Sequence, residues 1–336
     1  MNNMFPRPRF WVEAASQIKK RYTVFGEMLS YMLLSFVAIM AQSTLTAIPM
    51  SGWIMQNKSN ELMEAFEAGE LSQSMLLELM KQMPEWMTAI SLLASATLGL
   101  AAILYCRTFQ KRSLSSMGLC GKHRGGECVL GLAVGAMLAA AVIALGVAAG
   151  GYRLQLVQPS GRTILLLCLM LLGCIVYGSS LELLTRGCLA PSLGAGRPVA
   201  VALLLSTIAS GMLQNSSSLF SLSMANELLL GLLLGLWVLK RGSLWGACAL
   251  HAAWIFTESF FFDVAPAEAH SWLCIYAVDA DPYRLLLSGG ENGPASSICA
   301  TVVLLCAIVA VLALRGRNSA EPQDQPPADA EQTNFL

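Results

Sequence analysis

The sequence predicts an all-α, polytopic membrane protein: a bundle of about eight transmembrane helices with both termini inside. Three observations lead to this fold class. Of the 336 residues, 55% are hydrophobic and only 12% are charged, whereas soluble domains carry about 25% charged residues. Apolar runs long enough to cross a bilayer recur along the chain. Lys and Arg are unevenly shared among the segments between those runs, which sets an orientation.

Eight apolar runs predict the transmembrane helices in order. They are Val24–Ile48, Met87–Tyr105, Val129–Gly150, Thr163–Leu184, Val199–Leu213, Leu228–Leu239, Leu244–Phe262 and Ile298–Leu314. The sixth run is too short for a span of roughly 20 residues. We therefore expect its helix to begin near Phe220, which brings Asn226 and Glu227 into the bilayer.

The distribution of positive charge predicts the topology. With the N-terminus inside, sixteen of the twenty-one Lys and Arg fall on the inner side, as the positive-inside rule requires. The five outside are Lys58, Lys81, Arg153, Arg162 and Arg284. The net charge of zero hides this asymmetry and argues against a nucleic-acid partner.

Composition also divides the chain into segments. Residues 1–22 form a cytoplasmic segment in which Phe10–Tyr22 has the pattern of an amphipathic helix. Residues 23–112 hold the first two spans around an external, Met-rich insertion at 51–85, predicted to form amphipathic helix on the membrane surface. Residues 113–314 form the main membrane core, and the polar residues 315–336 are predicted to be a disordered tail.

Two further patterns concern packing and metals. Gly131 and Gly135, like Gly231 and Gly235, form GxxxG pairs, which favour close approach of helices. The ten cysteines are scattered without a CxxC pair, so neither a disulfide framework nor a zinc site is predicted. We expect no metal and no cofactor.

Polar residues inside the predicted spans are candidates for function. In SLELLTRGCL, residues 180–189, Glu182 and Arg186 lie four apart and share a helix face. They predict either part of an active site or a helix-end salt bridge whose Arg186 snorkels to the cytosol. His251 is either a catalyst or a hydrogen-bonded core histidine.

Other polar positions leave the same alternatives open. Glu258 lies seven residues after His251, on the same helix face, and could simply mark the outer end of its helix. Ser206, Ser210 and Gln214 form a stripe on the fifth span, which either hydrogen-bonds neighbouring helices or lines a cavity.

The order of these pieces resembles the CPBP family, the CAAX-protease and bacteriocin-processing membrane proteins. The resemblance runs from about residue 113 to residue 314. It rests on SLSSMGL before the Gly-rich GLAVGAML, on SLELLTRGCL, on NELLLGLLLGLWVLKRGSLWGACALHAAW and on LLLSGGENGPASS before the last span. SLELLTRGCL is similar to the family's EExxxRG motif, and the HAAW histidine to the first residue of its HxxxN motif.

The resemblance implies an intramembrane endopeptidase of a bacterial cell membrane. In such members, the first Glu of EExxxR and the His of FxxxH activate water, and the HxxxN residues stabilise the oxyanion. Glu182, Arg186 and His251 match retained positions. The first Glu is replaced by Leu181 and the Asn by Ile255, while Ser210 and Gln214 occupy the FxxxH positions. Leucine has no proton to transfer, and an amide cannot act as a base.

Two main hypotheses follow for the function. The first is a catalytically impaired member, a pseudoprotease that acts as a membrane scaffold binding a membrane-anchored peptide or protein amid the lipid. The second is an active, divergent protease in which Glu182, Glu227 or Glu258 supplies the carboxylate and His251 is the acid, base or oxyanion donor. A transporter or immunity-type binder is a third possibility, but no inverted repeat between the halves supports it.

Overall fold

The computed structural model describes residues 7–19, 22–67, 82–119, 124–214, 218, 220–265, 273–290 and 293–314. The predicted tail at 315–336 and residues 68–81 of the predicted insertion lie outside these ranges. The helices are α1 Arg9–Gln17, α2 Val24–Asn57, α3 Ser59–Glu67, α4 Trp86–Ala94, α5 Ala96–Thr108, α6 Arg124–Ala148, α7 Gly161–Glu182, α8 Ala190–Gly194, α9 Val199–Gln214, α10 Leu222–Arg241, α11 Leu244–Phe256, α12 Leu285–Ser288 and α13 Ile298–Ala313.

The predicted all-α membrane bundle is confirmed as a fold class. Five helical stretches are long and apolar enough to cross a membrane: Val24–Asn57, Trp86–Thr108, Arg124–Ala148, Gly161–Gly194 and Leu222–Arg241. Val199–Gln214 and Ile298–Ala313 are shorter apolar helices. Each of the eight predicted runs coincides with helix, while the number of spans and their orientation stay predictions.

Two helix boundaries bear on the sequence analysis. The helix of the sixth run begins at Leu222, so Asn226 and Glu227 lie in its first two turns, as expected. The helix of the first run continues past Ile48 to Asn57. The first residues of the predicted insertion are therefore a continuation of α2, because Pro49 is accommodated within that helix.

A small β-sheet was not predicted from the sequence. Strands β1 Tyr152–Leu156, β2 Phe262–Ala265 and β3 Tyr276–Ala280 pair in the order β1-β3-β2. β1 and β3 are antiparallel, with Tyr152 opposite Ala280, and β2 and β3 are parallel. The sheet joins the loops that follow α6 and α11, so it ties these two helices together at one end of the bundle.

Helix α6 packs on α11 through bare backbone at the first GxxxG pair. A Cβ on Gly131 would lie 2.2 Å from the Gly246 carbonyl oxygen, and one on Gly135 would lie 2.2 Å from the Leu250 carbonyl oxygen. Only glycine permits such an approach. Because Leu250 precedes His251, this contact fixes the height of His251 in the bundle.

A π-helical segment, Leu183–Leu189, separates α7 from α8. Pro191 at the start of α8 has no N–H to donate to the Gly187 carbonyl, four residues earlier. The buried Arg112 supplies the missing donors, with Nη2 at 3.0 Å from the Gly187 oxygen and Nη1 at 3.3 Å from the Cys188 oxygen. Insertions of this kind often accompany functional sites.

Helix α1 docks on the same region from the predicted cytoplasmic side. Trp11 is 3% exposed and covers Gly194, where a Cβ would lie 2.7 Å from the indole ring. The Glu13 carboxylate accepts hydrogen bonds from Ser113 and Ser115. The predicted amphipathic helix is present as Arg9–Gln17, and its buried face holds the loop that carries Arg112.

We predict that Gly135→Ala destabilises the protein by about 1–3 kcal/mol, because the added methyl group overpacks the α6–α11 contact. Gly52→Ala is the matched control, since nothing lies within 4 Å of a Cβ at that helical position. The control should be neutral or slightly stabilising, by up to about 1 kcal/mol from helix propensity. Thermal unfolding of the purified variants in detergent checks this; equal effects at both positions would contradict the packing account.

Candidate active site: a buried Glu–Arg–His network

The guanidinium of Arg186 lies in the protein interior. Arg186 is 1% exposed, and its side chain is among the largest that are fully buried. Nη1 donates to the Ser210 hydroxyl at 2.8 Å and the Thr185 hydroxyl at 2.8 Å, and Nη2 donates to the Gly231 carbonyl oxygen at 2.6 Å. Arg186 therefore does not snorkel to the membrane surface, and that part of the helix-end hypothesis is wrong.

Glu182 supplies the countercharge in the same interior. Its Oε1 lies 3.2 Å from Arg186 Nη1, and the two side chains are 0% and 1% exposed. The pair sits at the junction of α7 and the π-helical segment, where the i,i+4 spacing brings both groups to one face. The predicted salt bridge between Glu182 and Arg186 is thus present, but in the core of the bundle.

His251 on α11 completes the carboxylate's hydrogen bonds. Its Nδ1 lies 3.0 Å from Glu182 Oε1, and its side chain is 1% exposed. An ionised carboxylate only accepts, so Nδ1 donates to it, and in a neutral imidazole Nε2 then has the free lone pair. Nε2 is buried without a hydrogen-bond partner among the described residues. The arrangement is that of an imidazole oriented by an acid.

The polar stripe on α9 joins this network in two of its three positions. Gln214 Nε2 donates to the Ser210 hydroxyl at 3.1 Å and the Ser210 carbonyl at 3.3 Å. Ser210 in turn accepts from Arg186. Ser206 instead bonds within its own helix, to the Leu203 carbonyl at 3.1 Å. The structure therefore links Gln214, Ser210, Arg186, Glu182 and His251 in one continuous chain of hydrogen bonds.

Helix α10 contributes its backbone through the second GxxxG pair. A Cβ on Gly231 would lie 3.1 Å from Arg186 Nη2. The absent side chain lets the guanidinium reach the Gly231 carbonyl directly. The sequence indicated close packing at this glycine but gave no sign that its partner would be an arginine.

The positions of Leu181 and Ile255 are apolar parts of the core. Leu181 is 2% exposed and belongs to the main hydrophobic cluster, while Ile255 is partly buried against the same cluster. Leu181 directly precedes Glu182, and Ile255 lies one helical turn after His251. Neither can donate, accept or transfer a proton.

The other two carboxylates differ in their surroundings. Glu258 Oε1 accepts the backbone N–H of Ala295 at 2.8 Å, and Asn226 donates to the carbonyls of Ala295 and Ser297 at 2.7 and 2.9 Å. These two residues hold the turn before α13. Among the described residues, Glu227 Oε2 is buried without a hydrogen-bond partner.

Several polar atoms of the site therefore remain unpaired. They are Glu182 Oε2, Arg186 Nε, His251 Nε2 and Glu227 Oε2. Such a cluster is uncommon in protein interiors, where buried polar atoms are nearly always paired. Across the described ranges, no three His, Cys, Asp or Glu side chains are grouped to hold a metal ion.

The fold and this site define a class: a multi-pass membrane protein with a buried, hydrogen-bonded carboxylate, guanidinium and imidazole. Residues 163–257 match the family model described as "Rce1-like: Type II CAAX prenyl endopeptidase Rce1-like". Residues 163–257, the part of the chain that carries SLELLTRGCL and HAAW, are thus similar to this family, as the motifs indicated. No curated protein and no solved structure matches the chain.

We predict that Glu182→Gln lowers the free energy of unfolding by about 3–5 kcal/mol, because the buried Arg186 loses its countercharge. Glu61→Gln is the matched control, since it breaks the exposed Lys58–Glu61 pair and should cost no more than about 1 kcal/mol. Thermal melting and abundance in membranes measure both. A Glu182→Gln protein as stable as the wild type, with only an activity lost, would contradict a structural role for Glu182.

Proposed function

We propose that this CPBP-family protein is catalytically impaired and acts in the cell membrane as a scaffold that binds a membrane-anchored peptide or protein. The observation that carries the proposal is the identity of three side chains at the positions that perform the chemistry in the family. Leu181, Gln214 and Ile255 replace a carboxylate, an imidazole and an amide. The surrounding network of Glu182, Arg186 and His251 remains.

The geometry of the retained residues supports this proposal. Arg186 and His251 both contact the same oxygen of Glu182, Oε1. These contacts stabilise the junction between α7 and the π-helical segment. Adjacent helix positions point about 100° apart, so Glu182 does not take the place of Leu181. Gln214 hydrogen-bonds Ser210 and carries no titratable group. The proposed partner is a peptide because residues 163–257 match the model of a peptide-cleaving family.

The test restores the missing groups together with Leu181→Glu, Gln214→His and Ile255→Asn. The restored and wild-type proteins, purified from membranes, receive a panel of membrane-anchored peptides that carry a photo-crosslinking group. Mass spectrometry follows both cleavage and crosslinking. We expect both proteins to crosslink to a peptide and only the restored protein to cleave it, because only that protein has a base for water.

Two outcomes count against the scaffold. Cleavage by the wild-type protein would show that it is an enzyme. Crosslinking of no peptide by the wild type, under conditions in which the restored protein binds and cleaves, would remove the peptide-binding function. A matched variant with only Ile255→Asn controls for general effects of substitution, since it supplies an amide but no base.

A second candidate function, a divergent intramembrane protease, is favoured by one observation. Among the described residues, His251 Nε2 and Glu227 Oε2 are both buried without a hydrogen-bond partner. With Nδ1–H directed to Glu182, a water molecule at Nε2 could lose its proton to the imidazole and attack a peptide carbonyl. Glu182 would then stabilise the imidazolium, as an acid partner does in other hydrolases.

For this second candidate we predict that His251→Ala and Glu227→Gln each lower cleavage by a factor of about 100 or more, the usual contribution of general acid–base catalysis. Glu258→Gln is the matched control, because Glu258 is engaged with the Ala295 N–H and should leave turnover unchanged. Cleavage of the same peptide panel measures the effect, with melting temperatures as the check on folding. Unchanged turnover in both His251→Ala and Glu227→Gln rules the mechanism out.

A further inference from the structure

A groove lies between α2 and α5, and none of the residues that line it belongs to the Glu–Arg–His network. Its volume is about 770 Å³. The walls at depth are apolar and include Leu33 and Val37 of α2, which are 59% and 64% exposed. Near its mouth the wall is aromatic, with the rings of Tyr105 and Phe109 stacked at 5.6 Å.

The mouth of the groove carries two positive charges. Lys19 and Lys111 both line it and both are exposed, and neither has an acidic partner within the described ranges. The nearby Glu27 is 4% exposed and is not part of the lining, and Glu13 is engaged by Ser113 and Ser115. The mouth is therefore an uncompensated cationic site.

The polar groups in the rest of the lining are already bonded. Ser30 donates to the Gly26 carbonyl at 2.8 Å, and Gln110 Nε2 donates to the Ser192 hydroxyl at 2.8 Å. The ammonium groups of the two lysines thus remain as donors for a ligand at the mouth.

The backbone at Lys111 adds an independent observation. Its φ is 54°, and it is the one non-glycine residue with positive φ among the described residues. Lys111 lies three residues after Thr108, the last residue of α5, and the following N–H, that of Arg112, bonds to the Cys106 carbonyl at 2.8 Å. Glycine adopts this conformation without a steric cost and is common at such helix ends. The lysine at this position places a charge at the groove mouth, although the backbone conformation there favours glycine.

The depth of the groove identifies its environment. Lys19 and Tyr22 precede α2, which begins at Val24 and is the first predicted span. Val37 is thirteen residues into α2, about 20 Å along the axis, so the groove extends from the start of that span to about the middle of a ~30 Å hydrocarbon core. On the predicted topology, the lysines are therefore at headgroup level and the apolar walls at acyl-chain level.

We propose that this groove binds one anionic phospholipid of the leaflet nearest the N-terminus. The phosphate lies between Lys19 and Lys111, and an acyl chain runs along Leu33 and Val37 beside the stacked rings. Basic pockets between transmembrane helices commonly take anionic headgroups, and aromatic rings are favoured at the membrane interface. A lipid is favoured over a peptide because the exposed walls continue well into the hydrocarbon layer.

The test is native mass spectrometry of the full-length protein in detergent with equal concentrations of phosphatidylglycerol and phosphatidylcholine. We expect the wild type to retain one phosphatidylglycerol selectively. Lys19→Gln and Lys111→Gln should each lower the ratio of bound phosphatidylglycerol to phosphatidylcholine about fivefold, and Lys111→Arg should preserve it. Arg107→Gln is the matched control, because Arg107 is an exposed cation at the same end of α5 that does not line the groove.

Lys111→Gly separates lipid binding from a purely structural role of this residue. This substitution removes the charge, and glycine adopts the left-handed conformation without steric cost. The melting temperature should therefore stay the same or rise, while the ratio of bound phosphatidylglycerol to phosphatidylcholine falls. A ratio unchanged in the Lys19→Gln, Lys111→Gln double variant overturns the proposal. An equal fall with Arg107→Gln also overturns it, because the attraction would then come from the whole basic surface.

Discussion

The rest of the bundle is organised around the guanidinium of Arg186, which is 1% exposed. Burying a charge is costly unless it is paired and hydrogen-bonded. Arg186 meets this requirement through Glu182, the hydroxyls of Thr185 and Ser210, and the carbonyl of Gly231. Three separate helical segments are thereby brought to one point, and the glycine on α10 allows the last of them to approach.

The same constraint explains why Glu182, Arg186 and His251 are held together independently of any chemistry. Substitutions at Leu181, Gln214 or Ile255 change groups outside this trio, whereas removing Glu182 would leave a charge buried without its partner. Breaking a buried pair costs more than losing a reactive side chain at its edge. Glu182, Arg186 and His251 therefore have a physical reason to remain together whether or not the protein cleaves anything.

The sequence predicted the helical fold because the apolar runs are long and charges are scarce within them. It also predicted that Glu182 and Arg186 share a face, since the i,i+4 spacing alone requires it. The partners from other helices could not be predicted this way: Ser210, Gly231 and His251 meet Glu182 and Arg186 only through the three-dimensional packing. The three strands have four or five residues each and lie beside long apolar runs, so their pattern did not stand out. The π-helical segment depends on Pro191 and on Arg112, which is seventy-five residues away from Gly187.

The order in which the partners of Arg186 occur along the chain bears on how the protein is assembled. Glu182 and Thr185 are present as soon as α7 and the π-helical segment are made, but Ser210 and Gly231 are synthesised later. Until α9 and α10 arrive, the guanidinium lacks two of its four hydrogen-bond acceptors and is costly to place in the hydrocarbon layer. The order of synthesis therefore favours late entry of Arg186 into the bundle, in a chain made at least through α10.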